Sequence, residues 1–294
     1  MDKRERVSHI LLGMVVFIWG ANIGIIKSAY QDFHPLYFAA LRFTASGALI
    51  LFVVLLKEGN LRIRRQDWGT VLVIALPGMA LYQILWSLGL DRTTATNSAL
   101  ILALQPIMAA IYVDLTKRES VSKQEYGGML LAFFGVLLII LKPSAQLHFS
   151  LETLYGDVLT LVAAGCFAVF CSSWSKSLLK LYSPLRVTGY SMALSSVFLW
   201  IAVLVSGPHK PWGQIGLRSW YSFGYAVFLS GIIAHVAWYE GIGRIGVAKT
   251  MIYVYLVPVS AVLFNHFLMG EEVYVQQLIG GALILWGVRS VLRN

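Results

Sequence analysis

The chain has 294 residues, of which 58% are hydrophobic and 13% charged, with a mean hydropathy of +0.72. A soluble domain carries about 25% Asp, Glu, Lys and Arg, so these charges are too few to cover a water-facing surface, and a soluble globular enzyme is excluded. Runs such as Leu130–Leu141 do not alternate apolar and polar residues, which excludes a membrane β-barrel. The net charge of +9, from 23 basic and 14 acidic residues, sits between apolar stretches and not along one face. It reads as membrane orientation, not nucleic-acid binding.

A bilayer core about 30 Å thick needs roughly 20 apolar residues per helix. Ten such stretches fall at 7–29, 34–56, 69–90, 93–114, 124–141, 155–175, 184–206, 219–242, 247–268 and 273–291. The breaks carry turn chemistry or charge, as in Gln31–Pro35, Arg62–Arg65, Lys117–Glu119, Lys142-Pro143, Gly207–Pro211 and Gly270–Glu272. The third–fourth and eighth–ninth breaks are the shortest. The first stretch follows Met-Asp-Lys-Arg-Glu-Arg but has no small-residue cleavage site, so it reads as a retained helix and not a signal peptide. Seventeen Lys and Arg residues fall on the side of the two termini and five on the other, with Arg42 alone inside a span. Basic residues collect in cytoplasmic loops, so both termini are expected in the cytoplasm.

The second half of the chain repeats the first. At an offset of 152, Trp68 falls on Trp220, Trp86 on Trp238, Arg92 on Arg244, Pro106 on Pro258, Glu119 on Glu271 and Gln124 on Gln276. Gly89, Gly128 and Gly135 meet Gly241, Gly280 and Gly287. The earlier spans align better at 149, where Lys27 meets Lys176 and Pro35 meets Pro184. The expected fold is therefore an all-α integral membrane protein: ten transmembrane helices in two five-helix repeats, 1–145 and 146–294. Five is odd, so the second repeat enters the membrane inverted, an arrangement recurrent in secondary transporters.

Trp19-Gly20-Ala21-Asn22, Pro35 with Leu41-Arg42-Phe43, Gly156-Asp157, Thr96–Ala99 with Gln105-Pro106, and Ala248–Thr250 with Val257-Pro258 stand in the order of one family. With Glu119 and Gly270–Glu272, they make the chain resemble the EamA family of the drug/metabolite transporter superfamily. The resemblance implies ten helices around a cavity, export of small metabolites or amino acids, and usually a bacterial inner membrane. It does not select a substrate. A passive pore of the same fold, or a membrane scaffold without transport, are the alternatives.

No enzyme is expected, and neither a cofactor nor a metal. The six histidines lack HExxH-type spacing, there is no P-loop, and Cys166 and Cys171 match no metal or redox spacing. Polar groups inside lipid are costly and face a cavity or a partner. Gln83 and His235 are equivalent under the repeat, each three residues before a tryptophan, Trp86 or Trp238. They read as opposite walls of a cavity that stacks and hydrogen-bonds a small molecule, against the alternative of packed core or interfacial residues. Arg42 can snorkel to headgroups, pair with an acid, or bind a substrate carboxylate. Trp19, Asn22, Tyr82, Gln105, Tyr190 and Tyr253 complete the expected lining, and at most one of Tyr253 and Tyr255 can face it. His235 and Glu240 are candidates for proton coupling, although Arg244 four residues on makes an ordinary helical ion pair the simpler reading of Glu240. Pro106 and Pro258 remove a backbone donor in mid-span, giving static kinks or gating hinges. Gly127-Gly128 and Gly280-Gly281 read as close-packing positions that could also serve a homodimer.

Overall fold

The computed structural model describes residues 3–141, 151–204, 212–269 and 272–293. The expected repeat boundary at 145/146, the Lys142-Pro143 and Gly207–Pro211 breaks, and Gly270-Glu271 lie outside them. Ten helices are long and apolar enough to cross a membrane: α1 (Glu5–Ile26), α2 (Pro35–Glu58), α3 (Arg65–Leu90), α4 (Asn97–Leu115) and α5 (Lys123–Ile140), then α6 (Thr153–Leu179), α7 (Pro184–Leu204), α8 (Leu217–Ile245), α9 (Val247–Phe264) and α10 (Val275–Leu292). No strand occurs among the described residues. Large apolar side chains such as Ile10, Leu56, Phe134, Ile201 and Trp286 stand exposed on the outside of the bundle. Water would penalise that surface, and lipid does not.

Local chemistry explains the helix starts. Pro35 and Pro184 open α2 and α7, where a missing N–H costs nothing. Ser122 caps the α5 terminus, accepting from Glu125 N, and the Glu125 carboxylate accepts from Ser122 N at 2.7 Å. The short eighth–ninth break is one residue wide. Gly246 adopts φ +90°, and the Glu119 carboxylate, from the α4–α5 connection, accepts from Val247 N at 2.8 Å and Ala248 N at 3.2 Å. A glycine is needed twice over: its φ is left-handed, and a Cβ there would stand 3.1 Å from that carboxylate.

Helices in lipid gain from close backbone approach. The α5–α10 seam is built on it: a Cβ at Gly135 would meet Gly280 O at 2.6 Å, and one at Gly128 would meet Gly287 O at 2.8 Å. Exchanging the halves turns one of these pairs into the other. Gly127 and Gly281 have nothing within 4 Å at their Cβ positions, so only one glycine of each expected pair makes the seam. Most backbone irregularities recur as well, the exception being the π segment Cys166–Ser173 of α6, which has no counterpart in α1. A π segment, Ile74–Leu81, interrupts α3, and another, Ala226–Ala234, interrupts α8 at the same place in the repeat. Pro77 accompanies the first. The helix of α4 breaks at Ala103 and Leu104 and restarts at Gln105, with Pro106 in its first turn. Along α9 a 3-10 turn, Ile252–Tyr255, precedes the restart at Leu256 that contains Pro258.

Candidate functional site

The π segments and the broken helices surround one cavity of about 230 Å³. Eight of the eleven expected lining residues stand on its wall: Trp19, Asn22, Arg42, Tyr82, Gln83, Trp86, Gln105 and His235. Gln83 and His235 each follow a π segment by one or two residues. Such insertions re-aim the residues that follow them and concentrate at functional sites. His235 Nδ1 lies 2.7 Å from Ser230 O, five residues earlier. A carbonyl only accepts, so Nδ1 carries the proton and the neutral ring keeps Nε2 as an acceptor.

The aromatic residues form a continuous arc. Trp86 stacks on Tyr82 at 6.4 Å between centroids, Tyr82 lies 5.1 Å from Phe167, and Phe167 lies 6.3 Å from Trp238. Trp238 meets Trp19 at 5.1 Å, and Trp19 meets His235 edge-on at 5.4 Å. The arc gives the cavity an apolar floor with polar groups at each end. Arg42 Nη2 donates to Gln83 Oε1 at 2.9 Å, and Gln83 Nε2 donates to Ser87 Oγ at 3.2 Å. The guanidinium also lies over Phe43, 5.2 Å from the ring centroid. No carboxylate lines the cavity among the described residues.

Three expected lining residues lie elsewhere. Tyr190 sits in the first third of α7, where its hydroxyl donates to Leu61 O at 2.5 Å and its ring meets Trp68 edge-on. Trp238 is 1% exposed and lies beneath Trp19 and Phe167, supporting the wall from behind. Tyr253 turns away to His9, with its hydroxyl 2.6 Å from His9 Nδ1. The tighter 3-10 turn swings Tyr255 onto the cavity wall in its place. Glu240 is also outside the lining and forms an ion pair with Arg244, so its carboxylate is occupied where it stands. Asn97 is engaged too, donating to the Asp157 carboxylate at 3.2 Å beside Thr93, which donates to the same group. Phe43, Met79, Phe167 and Ser230 line the cavity without having been expected. Phe43 adjoins Arg42 in the Leu41-Arg42-Phe43 motif, which was the available signal. Nothing in the sequence marks Phe167 apart from other phenylalanines.

The three described ion pairs lie at one end of the bundle. Glu58 pairs with Arg186 at 2.5 Å, Glu119 with Lys176 at 2.5 Å, and Glu240 with Arg244. Ten spans are an even number, so this is the end that carries both termini. The cavity residues lie near mid-span or in the half of each span away from it.

A ten-span helical bundle enclosing a small aromatic cavity defines a membrane transport protein in class. The sequence pattern of the EamA-like transporter family matches residues 7–141 and again 154–293, and the chain belongs to that family. It is 30% identical over 281 residues to an uncharacterized transporter of Archaeoglobus fulgidus, covering 96% of each chain. It is 28% identical to the uncharacterized transporter YyaM of Bacillus subtilis, covering 97% of this chain and 93% of that protein. A solved crystal structure shares the fold with a TM-score of 0.83 at 18% identity, covering 97% of this chain and 96% of the other. The protein is a multi-pass integral membrane transporter.

Proposed function

We propose that the chain is a secondary carrier that exports small metabolites, amino acids and related compounds foremost, by alternating access between two inverted halves. The observation that carries this reading is the position of the cavity. It lies between the halves, and the end bearing the termini is fastened by Glu58–Arg186 and Glu119–Lys176. The twofold match of the family pattern and the exchange-related glycine pairs at the α5–α10 seam support inversion. The excess of Lys and Arg on the termini side supports cytoplasmic termini in a bacterial inner membrane. A cavity of about 230 Å³ is below the roughly 300–1,000 Å³ of pockets for drug-sized ligands, which favours small cargo.

His235 is the proton carrier in this reading, because it is the histidine on the cavity wall and its ring can exchange a proton. Uptake by proteoliposomes of a labelled metabolite panel, with and without an imposed pH gradient, tests the whole proposal. Saturable accumulation that collapses with the gradient is expected. Saturable exchange indifferent to pH removes the proton from the mechanism, and unsaturable flux replaces the carrier with a passive pore.

A further inference from the structure

The cavity holds a cation that no acid among the described residues neutralises. Among the described residues, Arg42 has one side-chain hydrogen-bond partner, the uncharged amide of Gln83, and its Nε is buried without an acceptor. A buried guanidinium nitrogen without a partner is costly, and a missing carboxylate costs more. The scaffold nonetheless fixes the group in place, since Gln83 is itself held by Ser87 and Phe43 lies against the guanidinium face. Two more cavity residues keep buried donors unused, Trp86 at Nε1 and Tyr255 at its hydroxyl. Asn22 Oδ1 and, in the tautomer described above, His235 Nε2 are neutral acceptors among the lining residues. The acceptors are thus all neutral while Arg42 is charged, and no carboxylate lines the cavity among the described residues to receive an ammonium. An arginine fork matches the two oxygens of a carboxylate.

From this we infer that the cargo is a small organic monocarboxylate with a flat apolar body and no charged amine. Its carboxylate sits on Arg42, and its body lies along the Trp86–Tyr82–Phe167 arc. Binding neutralises Arg42 and fills the cavity in one step. This rests on the carrier reading and, among the small metabolites it admits, places carboxylate anions ahead of amino acids. Zwitterions are disfavoured because their ammonium leaves the net positive charge of the cavity in place, whereas a monocarboxylate removes it.

Calorimetry on the purified full-length protein in chloride-free buffer tests the inference with three probes sharing one ring: phenylacetate, phenylalanine and phenethylamine. Phenylacetate is expected to bind saturably and at least about tenfold more tightly than the other two. Arg42→Gln should weaken it about 10- to 100-fold, and Arg42→Lys should fall between. Gln83→Glu is the second variant, because it places a carboxylate beside Arg42 without emptying the site. It should fold at least as well as the parent and lose phenylacetate binding to the same degree. The inference is overturned if phenylacetate gives no saturable heat or the three probes bind alike. It also fails if Gln83→Glu binds phenylacetate undiminished, or if chloride displaces the probe as a simple halide site would. Arg42-dependent binding without flux would keep this inference and defeat the carrier. Flux of a compound indifferent to Arg42 would do the reverse.

Discussion

At the end of the bundle that carries the termini, Glu58, Glu119 and Glu240 each meet a cation, whereas in the cavity the described hydrogen-bond partner of Arg42 is the uncharged amide of Gln83. The contrast separates two uses of charge inside one apolar protein. Pairs closed within the chain leave nothing for a ligand, and two of these three, Glu58–Arg186 and Glu119–Lys176, hold helices together. Glu119 shows this most fully, because its two oxygens take the first N–H groups of α9 as well as Lys176, joining three spans at one carboxylate. A charge left open on a cavity wall is instead satisfied by whatever enters. In the proposed carrier the fastened end and the open cavity are two parts of one device, the first setting which face is shut and the second what is carried.

Both regions depend on the rigid α5–α10 seam, so the largest expected effect is there. Gly280→Leu should leave no monodisperse protein in size-exclusion chromatography, since even a Cβ at this position would stand 2.6 Å from Gly135 O. Gly281→Leu, on an open face, should elute normally; equal behaviour of the two variants would remove the seam from the account. At the fastened end, Glu119→Ala should cost about 2–3 kcal/mol in unfolding measurements, the scale of a charged group leaving partners unsatisfied. It should also raise access to the cavity from the termini side. Pro258→Ala restores a donor beside the break in α9, and on the hinge reading transport should fall roughly tenfold with little change in stability. Full transport by that variant makes the break a static feature. The smallest effect is expected at Glu240: Glu240→Gln should change stability by less than about 0.5 kcal/mol, as for an ordinary i,i+4 pair. Proton-driven uptake should survive it, and loss of uptake in Glu240→Gln but not in Arg244→Gln would move proton coupling from His235 to Glu240.

The ten spans and the repeat were legible because apolar length and aligned Trp, Pro and Gly residues are one-dimensional signals. Much of the cavity wall was legible for a related reason. A buried Arg42, Gln83 or His235 has few other reasons to sit in a span. What was not legible is where the helix stops being regular. The π segment of α3 has Pro77 as a marker, but that of α8 has none. The 3-10 turn at Ile252–Tyr255 exchanged Tyr253 for Tyr255 on the wall. Trp238 shows a second limit. It matches Trp86 in the repeat, yet is 1% exposed and packed behind Trp19 and Phe167, whereas Trp86 stands on the cavity wall. Repeat equivalence fixes the element a residue sits on, not the layer it occupies.

The central claim is that one face of the cavity is open while the other is shut, and side-specific labelling tests it most directly. Ala99→Cys, in a chain with Cys166 and Cys171 replaced by alanine, places a thiol on the cavity wall. Oriented vesicles treated with a membrane-impermeant maleimide should be labelled from the face opposite the termini alone, with labelling from the termini face appearing when Glu119→Ala is added. Labelling from both faces of the parent at similar rates would contradict alternating access and leave a pore.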